Sequence, residues 1–297
     1  MDYQVLYNIG TIAVYLFILT SMFMTGLMVT VTELLAPVHN RRVLTLSLFA
    51  NFIAVPLLAL VLIAIVPMSP GLAAGLLLMA VAAGAPSTAK VAQFTGGNMA
   101  QSISLTIILT IVTVVLMPFL IPYILEGAQA DPLAVTANLV VMILIPIFLG
   151  ILIKSRSQPL AGRLRPIMDL VSNISVAVIF LTFGIIFLSR IRDIVSSPSG
   201  ALAVSVSIVF TLGALGIAYL LGGLARESRM DLAFGAGFRN ATAALVVVFA
   251  SFTDPRNDVL LMVLMVTIFA ILIVTIIAGI IFKKRMDAEK IARGSGA

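Results

Sequence analysis

Apolar residues run along this chain in long continuous stretches, without the strict alternation of a half-buried strand or the polar stripe of a surface helix. Nine segments are readable, at about 10–32, 43–66, 71–97, 100–124, 133–153, 167–189, 201–223, 229–252 and 257–282. Each runs to about 20 residues or more, the length at which a helix crosses roughly 30 Å of hydrocarbon. In lipid every backbone N–H and C=O must be satisfied within the spanning structure, which leaves helices or a closed barrel. A barrel would alternate over about 10 residues per strand, and that pattern is absent. The segments predict an all-α polytopic membrane protein with nine transmembrane helices. The connections, such as Ala36 to Arg42 and Ser196 to Gly200, are short and rich in Pro, Gly, Ser or charge. One transmembrane domain therefore accounts for residues 1–297, with residues 283–297 as a basic cytoplasmic tail.

Composition agrees. Of 297 residues 61% are hydrophobic and 10% charged, and the mean hydropathy is +1.21. A soluble domain carries about 25% charged residues. The net charge of +6 does not point to nucleic acid, because the basic residues sit at segment ends with no soluble domain to hold them. Cysteine is absent, which excludes disulfides, thiolate metal sites and cysteine nucleophiles. No metal site or other cofactor is expected. No basic stretch precedes the first segment, so no cleavable signal peptide is expected. With the N-terminus outside, 13 Lys and Arg residues fall on the cytoplasmic side and 3 on the outer side. That asymmetry predicts N-out, C-in in a plasma membrane, bacterial or archaeal.

The same count predicts an inverted duplication. Segments one to four (about 10–124) and six to nine (about 167–282) are offset by five spans and run in opposite senses, joined by a linking helix at about 133–153. Segments three and eight are then counterparts. Interrupted helices at corresponding positions of inverted repeats are a pointer to a transporter site. Segment three contains Gly84, Ala85, Pro86, Ser87, Thr88 and Lys90; the proline removes a backbone donor and the hydroxyls become candidate ligands. Segment eight contains Gly235, Gly237, Arg239 and Asn240, two glycines beside polar groups.

Lys90 and Arg239 are the basic residues well inside the predicted membrane, roughly 10 and 15 Å deep at 1.5 Å per residue. A charge there costs at least ~2.5–3.5 kcal/mol. All twelve acidic residues read as loop, tail or span-end residues, with Asp169 and Asp231 nearest to helices. Two cations without a built-in mate imply an external anion, a water-filled cavity or carbonyl ligation. Lys90 is also shallow enough to snorkel to the interface. Asn51, shortly before Pro56, reads equally as site residue or interhelical glue. Ser102 and Thr106 share one helix face.

These segments resemble the bile acid:sodium symporter family, within the larger group of bile, arsenite and riboflavin-like transporters. The resemblance covers nearly the whole chain. It rests on Thr25 to Thr30, Asn51 to Pro56, Gly84 to Asn98 and Gly237 to Asn240. It implies inverted repeats forming a panel and a core domain, with two broken helices crossing in the core. It further implies sodium-ligand hydroxyls at Ser102 and Thr106, a sodium-side amide at Asn51 and a cavity asparagine at Asn240. The sequence departs from the family at the ion sites. The sodium-binding glutamate position is Gly235, the neighbouring glutamine is Arg239, and the third-helix asparagine is Ala89 or Lys90. Ser87 stands where the arsenite branch has cysteine. Lys and Arg have no acceptor capacity and repel Na⁺ at close range.

The expected function is secondary transport of a small organic anion by alternating access. Lys90, Arg239, Asn240, Ser87, Thr88 and Asn51 form the candidate site, and transport is sodium-independent or proton-linked. The alternatives are a sodium-coupled symporter of bile-acid-like anions, which leaves Na⁺ open as coupling ion, and an anion channel or sensor. An intramembrane enzyme is not expected, because the single histidine, His39, lies in a connection and no Ser/His or His/Glu constellation is present. Besides the substrate and the bilayer no partner is implied, and oligomeric state is not readable.

Overall fold

The computed structural model describes residues 3–95, 99–124, 132–196, 198–223, 226–251 and 258–294. Gly96, Gly97 and Asn98 lie outside the described residues, and for Lys90 the backbone alone is described. Among the described residues the chain is helical, with no strand. The first half forms α1 (Tyr3–Gly26), α2 (Val31–His39), α3 (Arg41–Phe49), α4 (Val55–Ile65), α5 (Pro70–Val81), α6 (Ser87–Thr95) and α7 (Met99–Ile124). The second forms α8 (Pro132–Leu139), α9 (Ile145–Arg156), α10 (Gln158–Ser196), α11 (Pro198–Leu221), α12 (Arg226–Gly237), α13 (Ala241–Ser251) and α14 (Asp258–Gly294). Short π-helical segments, Ala50–Ala54 and Val140–Leu144, join α3 to α4 and α8 to α9. In both cases a proline follows the bulge at the second position of the next helix, where its missing N–H is absorbed.

Eight stretches among the described residues are long and apolar enough to cross a membrane, and α5 is a shorter apolar helix that α6 continues after a break. These are the nine segments read from the sequence. The outside of the molecule is apolar: Ile65, Phe119, Tyr123, Leu133 and Leu220 are each 70% to 81% exposed. Side chains of that kind, spread over the whole lateral surface, identify lipid as the solvent.

Three connections differ from the sequence reading. Segment one ends at Gly26, and residues 31–39, read partly as a loop, form α2. A capping box starts that helix: the Glu33 carboxylate accepts from the Thr30 N–H at 2.7 Å, and the Thr30 hydroxyl accepts from the Glu33 N–H at 3.3 Å. Residues 153–167 are not a loop either, since Ser157 alone separates α9 from α10. Pro166 lies inside α10 at an exposed position, and its ring forfeits one helical hydrogen bond there. At 39 residues α10 is about 58 Å long, well beyond the hydrocarbon. The tail from Lys283 continues α14 as helix to Gly294.

The helices sort into two groups. One is a panel in which α1 packs along α10 and α9, and the other a core of α2–α7 and α11–α14. Within the panel the helices touch backbone to backbone. A Cβ on Gly26 would run into the Ile147 carbonyl, and one on Gly150 into the Phe23 carbonyl. Small residues that admit such approach are what holds helices together in lipid.

Candidate functional site

The site is built where two interrupted helices meet. The last four carbonyls of a helix have no partner within it. α5 ends in the protein interior, so each must be answered there. Leu78 O accepts from the Ala82 N–H at 3.1 Å and Val81 O from the Ala83 N–H at 3.1 Å. Met79 O and Ala80 O are bonded from outside the segment, by Arg239. The chain then turns at Gly84, whose φ of +84° only glycine adopts readily. A Cβ there would also collide with Thr106 O and Thr110 Oγ1. Thr113 Oγ1 accepts from the Ala83 N–H at 3.0 Å, and Thr110 Oγ1 donates to Gly84 O at 2.9 Å. Pro86 precedes the restart, which is closed by the Thr88 N–H on Ala85 O at 3.1 Å.

The second interruption, Phe238 to Asn240, answers the first. Asn240 caps α13, its Oδ1 accepting from the Ala243 N–H at 3.0 Å. Its own N–H donates to Ala82 O at 2.8 Å, a backbone bond across the crossing. Arg239 is 4% exposed. Its Nε donates to Met79 O at 2.9 Å, Nη2 to Ala80 O, and Nη1 to Asn51 Oδ1 at 2.7 Å. The guanidinium therefore sits on the C-terminal end of α5, where the helix dipole and the orphan carbonyls favour a cation. Carbonyl ligation, one of the ways the sequence allowed to satisfy this charge, is present. Asn51, on the π segment, is fully buried and donates back to Ser47 O at 2.9 Å.

Other candidates are distributed around this knot. A cavity of about 740 Å³ lies between panel and core. Phe17, Ser21 and Asp169 line its panel side, and Pro86, Ser87, Arg239 and Thr242 its core side, with α14 closing the wall. Ser87 is exposed to it, while Asn51 and Asn240 are buried behind it. Thr88 is 3% exposed, and its hydroxyl has no hydrogen-bond partner among the described residues. The starts of α6 and α13 both face this cavity through Ser87 and Ala241. For Lys90 the structure places the backbone on α6, which packs against α7, α12 and α14. Its side chain, and hence its pairing with Arg239, lies outside the described residues.

One reading needs correction. Gly235 is not a helix break. It lies inside α12, which continues to Gly237, and a Cβ on it would meet nothing within 4 Å. Gly237 does end the helix, packed so closely on Leu215 that a Cβ would overlap that side chain. Asp231, three residues into the span Ser228–Ser251 and so at a span end as the sequence placed it, is 4% exposed in α12 and accepts from the Ser102 hydroxyl at 2.8 Å. Ser102 is thus engaged by a carboxylate, while Thr106, one turn on, is buried beside Gly84. Thr110 and Thr113 were not singled out, yet they hold the first break. Extending the hydroxyl row of α7 by one and two turns beyond Thr106 finds them.

A family model described as Sodium Bile acid symporter family matches residues 14–197, more than half of the chain. The first break lies inside the match and the second beyond it. Among curated proteins none matches the chain.

Proposed function

Because the chain belongs to the sodium bile acid symporter family, we propose that this integral membrane protein, a transporter by kinship, moves a small organic anion by alternating access and does so without sodium. The observation that carries the reading is the Arg239 guanidinium seated on the Met79 and Ala80 carbonyls and on Asn51 Oδ1. Those oxygens are hard ligands of the kind an alkali cation takes. A fixed cation in their midst supplies the charge that a coupling ion would otherwise bring, and repels Na⁺ at close range.

The anion preference follows from the same crossing. The N-terminal ends of α6 and α13 meet the cavity beside Arg239, and helix N-termini present N–H donors and partial positive charge. We assign the substrate to this region, with Ser87, Thr88 and Lys90 around it, and Asn240 and Asn51 supporting the crossing from behind. The apolar remainder of the lining suits a substrate with a hydrophobic body. By the Lys and Arg asymmetry, the C-terminus lies in the cytoplasm.

The test is uptake of labelled organic anions, bile acids among them, into proteoliposomes with Na⁺ or choline outside. We expect equal rates in the two salts and a large loss in Arg239→Gln. An absolute Na⁺ requirement would favour the sodium-coupled symporter that the family description names, and unchanged uptake in Arg239→Gln would remove the site assignment.

A further inference from the structure

Two of the helices that bound the panel–core cavity do not meet. α10 lines it from Asp169 to Gly184, about 22 Å, and α14 from Leu261 to Gly279, about 27 Å. That is most of the roughly 30 Å of hydrocarbon. α10 packs on α1, α9 and α11, and α14 on α5, α6, α11, α12 and α13. Among the described residues the two do not pack along one another. Each instead turns an exposed rim to the cavity: Asn173, Phe180 and Gly184 on α10, and Ile271, Thr275 and Gly279 on α14.

The glycines mark the gap. In the panel, Gly26 and Gly150 are required because a neighbouring backbone approaches them. A Cβ on Gly184 or Gly279 would meet nothing within 4 Å. At the depth of Phe180 and Ile271, which are 50% and 42% exposed, the surrounding medium is acyl chain rather than water. The gap is a slot that joins the cavity to the bilayer.

We infer that the cavity takes its ligand sideways from the bilayer through the slot between α10 and α14, and that this ligand is a long-chain carboxylate with a single acyl chain. At the crossing the carboxylate meets the Arg239 charge, the Ser87 and Thr242 hydroxyls and the N-terminal ends of α6 and α13. The chain lies along Ile179, Phe183 and Leu264, or trails through the slot into lipid. Asp169, the acid of the lining, repels a carboxylate from the far end of the α10 wall. A volume of about 740 Å³ is that of a small-molecule site, and it suits one chain rather than a two-chain phospholipid. Such an anion partitions into the membrane before it meets the protein. Entry through lipid spares its chain a return to water, which every re-exposed CH₂ would make less favourable. For the use made of the site this inference rests on the anion-transport reading; the slot itself stands on the packing of α10 and α14.

The chain has no tryptophan, so one introduced in the cavity reports alone. Phe17→Trp, on the panel wall, exchanges one aromatic ring for another; Leu264→Trp, on the core wall, replaces it if that variant does not fold. The protein is reconstituted in phosphatidylcholine vesicles, and bromine on a lipid chain quenches the indole on contact. We expect dibrominated phosphatidylcholine, which cannot leave the bilayer, to quench the cavity tryptophan. Adding Gly184→Leu and Gly279→Leu, which fill the rims, should reduce that quenching. In unbrominated vesicles, a small fraction of dibromostearate should give a saturable loss of fluorescence, and its methyl ester should not. Quenching by brominated phosphatidylcholine that the rim substitutions leave unchanged means no slot and overturns the inference. Acid and ester that quench alike overturn the choice of an anion. A closed slot leaves the anion-transport reading intact, with entry from water alone. Conversely, uptake that requires Na⁺ would remove the sodium-free reading and leave the quenching results standing.

Discussion

At the scale of single residues, the crossing depends on matching a planar cation to a set of fixed oxygens. Arg239 spreads donors over Met79 O, Ala80 O and Asn51 Oδ1 in three directions. A lysine there carries the same charge from a single point and cannot fork across these acceptors. Arg239→Ala leaves all three oxygens buried without that donor, at about 1–3 kcal/mol for each group that finds no substitute. Thermal melts in detergent should therefore rank wild type above Arg239→Lys and Arg239→Lys above Arg239→Ala, with the alanine variant at least about 2 kcal/mol less stable. A lysine variant equal to wild type would show that charge alone suffices. This partner set was not readable from sequence. Every acceptor but Asn51 is a backbone carbonyl, and carbonyls have no residue letter. The sequence shows an unmatched cation, and the fold shows a helix end as its match.

At the scale of elements, the glycines and caps that shape the helices lead to two expectations. Gly150 faces the Phe23 carbonyl and the Gly26 backbone. Gly150→Val should force α9 away from α1 and lower the yield of monodisperse protein, whereas Gly162→Val, where an added Cβ meets nothing, should not. Equal yields would mean that the panel tolerates separation at that point. At α2 the Thr30 backbone N–H holds the Glu33 carboxyl below its ordinary range. The Thr30 hydroxyl and Lys154 assist, while slight burial acts the other way. A depressed carboxyl stabilises the fold above its unfolded pKa and loses that contribution as pH falls through the folded value. Glu33→Ala should thus cost about 0.5–1 kcal/mol at neutral pH and progressively less in acid. A penalty that does not change with pH would point to packing rather than to the capping charge. The breaks themselves were legible to different degrees. Gly84 and Pro86 mark the first because a left-handed turn and a missing donor are written in residue type. Gly235 misled, since a glycine facing open space stays helical when nothing pulls its neighbours out. The second break is set two residues beyond Gly237, by Arg239 reaching the end of α5 and by the Asn240 N–H bonding Ala82 O. Both partners lie more than a hundred residues away in the chain.

For the whole molecule, the succession of spans was readable because lipid imposes span length directly on the sequence. The tie between Asp231 and Ser102 was not, because it joins positions 129 residues apart. The functional claim that belongs to this scale is that panel and core are separate bodies with a cavity between them that opens to one side at a time. The cavity wall runs from the crossing down α10 to Asp169 and along α14 to Gly279, toward the ends that carry Arg163, Arg165 and Lys284. With the basic ends in the cytoplasm, as we propose from the Lys and Arg asymmetry, Ser87 should be reached from that side. The chain has no cysteine, so a single one introduced at Ser87 reports alone. A membrane-impermeant maleimide should label Ser87→Cys in inside-out vesicles and leave Ala59→Cys, at a position of 0% exposure, unlabelled. In right-side-out vesicles Ser87→Cys should react far more slowly, and a saturating transported anion should change the ratio of the two rates by shifting the population between states. Equal labelling from both faces, unaffected by any anion, would mean a continuous path through the crossing. In that case Arg239 and the two helix N-termini would line the pore of an anion channel, and the two-body account would fail although every hydrogen bond at the crossing remained as described.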